Sequence, residues 1–265
     1  MILLVFPIVN TEFVRLLPSS MSDVLSRELM AGNVWTCLTV AGYVRAAGNG
    51  HEEEMMRLAQ RTLTIMNGLA KSYGPSSIKK LLWDKEYTGG KWHFTDDTAG
   101  DCVYPHIERH VRNGRLLDLG CGQGNTANEL SATTYRGYVG VDISESALDQ
   151  ARTRTAANGR AEKNRFVQGD FLGYTPTERF DVILFRESLY HVPMGQIKTM
   201  LDRYAPYLKD GGVFMVRVKI ADDKSGESKA RPRAMVGIIE AEFDVVERSE
   251  YKESGALVIV FRPRT

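Results

Sequence analysis

Asp118, Gly120, Gly122 and Gly124 stand at every second position of Leu116-Leu117-Asp118-Leu119-Gly120-Cys121-Gly122-Gln123-Gly124-Asn125, after an aliphatic run and before a helical one. Glycine there removes the Cβ atoms that would hold a ligand off the backbone, and it permits the positive φ of a sharp strand-to-helix turn. Eighteen residues beyond Gly124, Asp142 closes the next strand-like run, where a carboxylate can accept both hydroxyl protons of a ribose. Together these features read as a nucleotide-type cofactor site, with a plain tight turn and a solvated acid as the alternative. A dinucleotide fingerprint needs glycine at position 125, where Asn125 stands, so a nicotinamide oxidoreductase is the disfavoured reading.

Other reactive residue types carry less. His106 and His110 share a helix face at i and i+4, but Ile107 stands where a zinc protease needs glutamate and no third ligand follows, so no metal is expected. Cys37, Cys102 and Cys121 form no CxxC pair, and Cys121, small and apolar between glycines, reads as packing beneath the loop. Lys224, Lys229, Arg231 and Arg233 lie in a basic stretch that is either a solvated loop or a contact for an anionic acceptor.

The elements that must position these residues alternate after about Val103. Runs at Arg115–Leu119, Tyr138–Asp142, Arg165–Gln168, Phe180–Phe185 and Val213–Val218 are separated by amphipathic stretches, the pattern of a parallel sheet with crossover helices. The best helix is Pro193 to Leu208, with Gly211-Gly212 as its stop. The last two runs, Phe243–Arg248 and Leu257–Phe261, are too close for a crossover and predict an antiparallel edge hairpin. The fold class is therefore α/β, a doubly wound, Rossmann-like, mostly parallel sheet with a C-terminal antiparallel edge hairpin and an N-terminal helical cap. Residues 1–80 are expected to form an extension and that cap, 81–102 an aromatic and glycine-rich segment, and 103–265 the main domain. Within the cap, helices are expected from Ser22 to Gly32, Asn33 to Gly48 and Glu52 to Lys71.

With Asp118 two residues ahead of the first glycine, the loop resembles the D-x-G-x-G-x-G pattern of class I S-adenosylmethionine-dependent methyltransferases. The resemblance covers about residues 103–261 and continues through Gly169-Asp170-Phe171 and the run Phe180–Phe185. It implies that Asp118, Gly120, Cys121, Gly122 and Gly124 receive the methionine part of S-adenosylmethionine, that Asp142 holds the ribose, and that Asp170 and Phe171 flank the adenine. Ile143 and Arg186 are further cofactor contacts on the same resemblance. Phe185-Arg186-Glu187-Ser188-Leu189-Tyr190-His191 is similar to the F-x-E-x-L-Y-Y run of bacterial small-molecule methyltransferases, including nodulation-type N-methyltransferases, with His191 in place of the second aromatic. That run faces the transferable methyl group in the family. His191 is the candidate base, because imidazole titrates near neutrality, with Tyr190 or Glu187 orienting the acceptor; a packing or capping role for His191 is the alternative. The segment from Trp83 to Trp92 looks like a lid, with Tyr87 or Trp92 on the cofactor; the alternative is that its aromatics only fasten the helical cap to the core. The implied reaction is in-line methyl transfer to N or O of a small acceptor, against a non-catalytic binding protein of the same fold or a protein methyltransferase. The Asn/Asp-Pro-Pro-aromatic tetrapeptide of many DNA and protein-glutamine methyltransferases is absent.

Composition is that of an ordinary globular protein: 43% hydrophobic and 25% charged residues over 265 positions, with 34 basic against 33 acidic residues, so no global field draws nucleic acid. MILLVFPIV lacks a basic flank and a cleavage site and is broken by Pro7, which argues against a signal or anchor and hence against a membrane partner. Residues 1–20 read either as an upstream extension or as a packed arm. The odd, scattered cysteines point to a reducing, cytoplasmic setting.

Overall fold

In the computed structural model the described residues are 64, 66–90, 92, 98–220 and 230–264. The helices expected between Ser22 and Gly48, and that from Glu52 up to its last turns, lie outside them, as do Lys91, Phe94, Lys224 and Lys229. One compact unit runs from Leu69 to Thr265, and its backbone is helical through residue 73. Helix α1, Ser76–Thr88, follows Pro75 and stops at Gly89, whose N–H returns to the carbonyl of Lys85. It spans the expected boundary at residue 80, so Trp83, Asp84 and Tyr87 project from a regular helix and not from a loop.

The sheet comprises β1 (Arg115–Leu119), β2 (Gly137–Asp142), β3 (Asn164–Gln168), β4 (Phe180–Arg186), β5 (Leu208–Lys219), β6 (Asp244–Tyr251) and β7 (Ala256–Arg262). Its order is β3-β2-β1-β4-β5-β7-β6. The first five strands are parallel, and β7 returns antiparallel to β5 and carries β6 on its far side. The expected antiparallel hairpin is present, with its second strand inside the first.

Helices cover both faces, as a parallel sheet requires. Helices α2 (Tyr104–Val111), α3 (Asn125–Glu129) and α4 (Glu145–Ala157) lie on one side. There Ile107, Val111, Ala127 and Leu148 pack on Leu116, Val182, Leu184 and Met215. Helices α5 (Ile197–Tyr204) and α6 (Ala230–Glu242) cover the other, with Leu201, Met235 and Ile239 against Leu117, Ile183, Phe214 and Ile259. The stretch from Pro193 is helical only in pieces, with 3-10 turns at Met194–Gln196 and Ala205–Tyr207. Strand β5 already begins at Leu208, and Gly211-Gly212 lies inside it where the register with β4 shifts. The glycines serve a strand irregularity: Gly211 has φ +74°, and a Cβ on Gly212 would come 3.0 Å from the Phe180 carbonyl oxygen.

The order reverses between β1 and β4, whose carboxyl ends open a crevice, the place where open α/β sheets bind ligands. Asp118, the glycine loop, Asp142 and Glu187 all lie at this end. A concavity of about 610 Å³ lined by Arg115, Lys163, Arg165 and Glu178 sits at the opposite, amino ends of the strands, and its Arg115 and Arg165 are both paired with Glu178.

Candidate functional site

The turn after β1 is shaped by what lies against it. Gly120 has φ +83°, and a Cβ there would stand 2.5 Å from the Ser188 Cβ, because the loop after β4 is drawn in by the Ser188 hydroxyl donating to the Leu119 carbonyl at 2.5 Å. Gly122 has φ +53°, and a Cβ there would meet the Tyr87 hydroxyl at 2.6 Å. Bare backbone is thus required on both sides of Cys121. Gly124 caps α3 and packs toward Ala151 and Phe166, beneath the crevice. Cys121 is buried, with its thiol pushed well above its usual pKa by burial and then by Asp142. It is a packing residue that fills the gap over Gly140.

Two carboxylates face this loop. Asp118 is 1% exposed; the Tyr138 phenol donates to its Oδ2 at 2.8 Å and the Thr126 hydroxyl is the other side-chain donor beside it, while Oδ1 is buried with no partner in good hydrogen-bond geometry. Asp142 receives the Gly122 N–H on Oδ2 at 2.8 Å and the Ser144 N–H on Oδ1 at 2.9 Å. The Ile143 N–H also favours its ionised form, so of about four acceptor positions on a carboxylate at least one remains on Asp142. Burial pushes both acids up to about 6, against the Tyr138 hydrogen bond at Asp118 and the backbone donors at Asp142. Ile143 follows Asp142, and its carbonyl accepts from Gln168 at 3.4 Å.

At the end of β3, Asp170 accepts the Leu172 N–H on Oδ1 at 3.0 Å, and on Oδ2 the Ser76 hydroxyl at 3.0 Å and the Lys79 ammonium at 3.1 Å. The Phe171 ring stands edge-on to Phe185 at 6.3 Å and borders Gly120, while its carbonyl is held by Tyr204 at 2.6 Å and Arg203 at 2.8 Å. Asp142 and Asp170 therefore lie at the carboxyl ends of β2 and β3, at the same end of the sheet as the glycine loop.

Across β4, the expected acceptor side is organised by charge. Arg186 and Arg217 are register partners on β4 and β5. Asp101 lies between them, at 2.7 Å from Arg186 and 3.3 Å from Arg217, and its carboxyl is held below the usual range because the two guanidiniums outweigh burial. Arg217 also pairs with Glu187, whose Oε1 accepts the Lys219 N–H at 2.8 Å. Glu187 sits at φ +53°, an uncommon conformation for a side chain with a Cβ, fixed by those contacts and by its own N–H to the Arg217 carbonyl at 2.9 Å. His191 stands T-shaped to Trp83 at 5.1 Å and Tyr190 lies 4.5 Å from it; Trp83 in turn neighbours Trp92 at 5.9 Å, and Trp92 neighbours Tyr87 at 6.1 Å. Arg231 donates to the carbonyls of Tyr190 at 3.0 Å and Val192 at 3.2 Å, so this member of the basic stretch secures the loop after β4.

His106 and His110 are both directed to Glu247 on β6, at 2.8 and 3.2 Å, and His106 meets the Tyr251 hydroxyl at 2.6 Å, far from the crevice. Ser76, Lys79, Asp84, Ser144, Asp101 and Arg217 are site residues that sequence reasoning missed. Only Ser144 carried a local signal, as the cap that accepts the Ala147 N–H at 3.2 Å.

The residues present suit S-adenosylmethionine. Its ammonium needs a buried acceptor, which Asp118 Oδ1 offers; its ribose needs the acceptor positions left on Asp142; its amino-acid half needs the bare backbone at Gly120 and Gly122. The sequence between residues 116 and 212 matches the family model described as a methyltransferase domain. A sterol 24-C-methyltransferase of Gibberella zeae is 32% identical over 178 residues, covering 62% of this chain and 45% of that protein. A second from the same fungus is 28% identical over 156 residues, covering 55% and 40%. The chain thus spans less than half the length of these curated relatives. Among solved structures, the 1,6-didemethyltoxoflavin-N1-methyltransferase of Burkholderia thailandensis, with bound 1,6-didemethyltoxoflavin and S-adenosylhomocysteine, superposes with a TM-score of 0.57 at 21% identity, covering 72% and 89% of the two chains. The N-methyltransferase NodS of Bradyrhizobium japonicum, in complex with S-adenosylhomocysteine, gives 0.54 at 20% identity, covering 70% and 98%.

Proposed function

We propose that this chain, which carries a class I S-adenosylmethionine-dependent methyltransferase domain, transfers a methyl group to nitrogen or oxygen of a small-molecule acceptor. The observation that carries the reading is the convergence of two buried carboxylates, Asp118 and Asp142, on the bare backbone of Gly120 and Gly122 at the carboxyl ends of β1 and β2. When bound, S-adenosylmethionine supplies a methyl group already activated on a sulfonium. What the chain must add is position, since holding reactants in line recovers much of the entropic barrier. Asp118, Asp142, Asp170 and Phe171 hold the three parts of the cofactor. Glu187, locked by Arg217 and the Lys219 N–H, and Tyr190, anchored through its carbonyl by Arg231, orient the acceptor. His191 takes a proton where the acceptor must lose one. The aromatic row from Tyr87 to Tyr190 excludes water and suits a small molecule over a folded protein or a nucleic acid. Cys102 and Cys121 are free thiols, which supports a reducing, cytoplasmic setting.

Calorimetric titration with S-adenosylhomocysteine tests the core of this reading. A one-to-one isotherm is expected, and Asp142→Ala should weaken it about ten- to a hundredfold, the worth of a hydrogen bond to a charged group, without unfolding the chain. No heat from either S-adenosylhomocysteine or S-adenosylmethionine would remove the proposal.

A further inference from the structure

Helix α1 touches each station of the crevice in turn. Near its start, the Ser76 hydroxyl and the Lys79 ammonium converge on Asp170 Oδ2, at 3.0 and 3.1 Å. In its middle, Asp84 Oδ1 accepts the Ser144 hydroxyl at 2.7 Å and the Ser146 N–H at 3.3 Å, just beyond Asp142. Near its end, the Tyr87 hydroxyl stands over Gly122, and burial followed by the nearby Asp142 charge keeps the phenol protonated. Three points of one helix thus address the acid after β3, the end of β2 and the glycine loop.

Lys79 is the unusual member. It is 8% exposed on an otherwise half-covered helix, and a lysine is rarely buried unless its ammonium is paired. Its partner is Asp170, 91 residues away. Asp170 uses three of its roughly four acceptor positions on Leu172, Ser76 and Lys79, so one remains for an amine donor in the crevice while α1 stays in place. A fastened α1 is therefore compatible with a filled crevice beneath it.

We propose that Lys79 is a positioning residue: through its ion pair with Asp170 it fastens α1 over the bound cofactor, with the Asp84–Ser144 hydrogen bond as the second fastening, so that cofactor release requires both to part. The inference rests on the cofactor reading above and adds to it the element that sets residence time. Removing a fastening raises the rate of escape more than the rate of entry, because affinity differences among variants of one site fall mostly in the rate of release.

Trp83 and Trp92, on and just beyond α1, report the event by fluorescence. The test is stopped-flow binding and chase of S-adenosylhomocysteine with the full chain. Lys79→Met keeps the apolar stem and removes the charge; it should speed release about tenfold or more with association within about threefold, the scale expected for one charge-assisted contact. Lys79→Arg should return release to within about threefold of the unmodified chain, a rescue that loss of packing alone would not give. Asp84→Ala, which leaves Asp170 and its partners intact, should also speed release. Unchanged release in both Lys79→Met and Asp84→Ala overturns the fastening, and so does tighter binding by Lys79→Met, which would mean that Lys79 competes with the cofactor for Asp170. If the unmodified chain binds no S-adenosylhomocysteine, the proposed function falls and takes the fastening with it; binding with unaltered release in the variants removes the fastening alone.

Discussion

Asp118 and Asp142 are ionisable groups held almost out of water, at 1% and 8% exposure, and each is pushed up to about 6 by that burial. In the free protein a folded pKa above the ordinary 3.8 means that the stability these acids contribute is full below pH 3.8 and is lost as the pH rises through 6. For the cofactor the dependence runs the other way, since an ammonium and two ribose hydroxyls need ionised acceptors. The expected outcome is that affinity for S-adenosylhomocysteine, and the thermal shift it produces, grow between pH 5 and pH 7.5 and flatten above. An affinity that stays level across that range would show that neither carboxylate meets the cofactor in its charged form. Asp84, Asp101 and Glu247 are shifted downward instead, so the free protein's own melting temperature mixes both signs, and the ligand-induced shift is the cleaner measurement.

Among the elements, β2 carries the least room. A Cβ on Gly140 would stand 2.7 Å from Cys121 Sγ, 2.9 Å from Tyr138 and 3.0 Å from Phe166, all of them side chains packed between α4 and the glycine loop. Gly140→Ala should cost about 1–3 kcal/mol, the usual penalty for overpacking, and should weaken the cofactor through a displaced Cys121; a variant as stable as the parent in urea would contradict this packing. The strands were legible because aliphatic runs such as Leu116–Leu119 and Val182–Phe185 are buried on both faces and bounded by turn residues. Gly211-Gly212 was misleading for a physical reason: a glycine pair marks a helix stop and a strand irregularity alike, and the choice depends on the Phe180 carbonyl, which only the folded sheet brings near. The glycine loop and Asp142 were legible as a local motif, whereas Lys79, Asp84, Asp101 and Arg217 draw their meaning from partners 30 to 116 residues distant. No local pattern encodes such a pairing.

At the scale of the molecule, Glu247 joins the two ends of the domain. His106, Arg109 and His110 of α2 all reach this one carboxylate of β6, at 2.8, 2.6 and 3.2 Å. Burial tends to raise the Glu247 pKa, but His110 and Arg109 outweigh it, so the stability it contributes is present above the ordinary glutamate range and disappears as the pH falls through it. Glu247→Ala should lower stability at pH 7 by about 1–2 kcal/mol, or roughly 2–8 °C, and speed hydrogen exchange along residues 244–251, a difference that should close in acid. The position of β7 between β5 and β6 has a consequence for the order in which the chain is made. Strand β6 leaves the ribosome first, but it has no strand to pair with until Ala256–Arg262 has emerged, because its register partners all lie on β7. Until then the Val213–Val218 edge of β5 stays open, and it is among the most apolar edges in the sheet. A nascent chain halted between residues 252 and 255 therefore exposes the open edge of a parallel sheet with a loose strand trailing from it, so the last seven-residue strand closes two gaps at once.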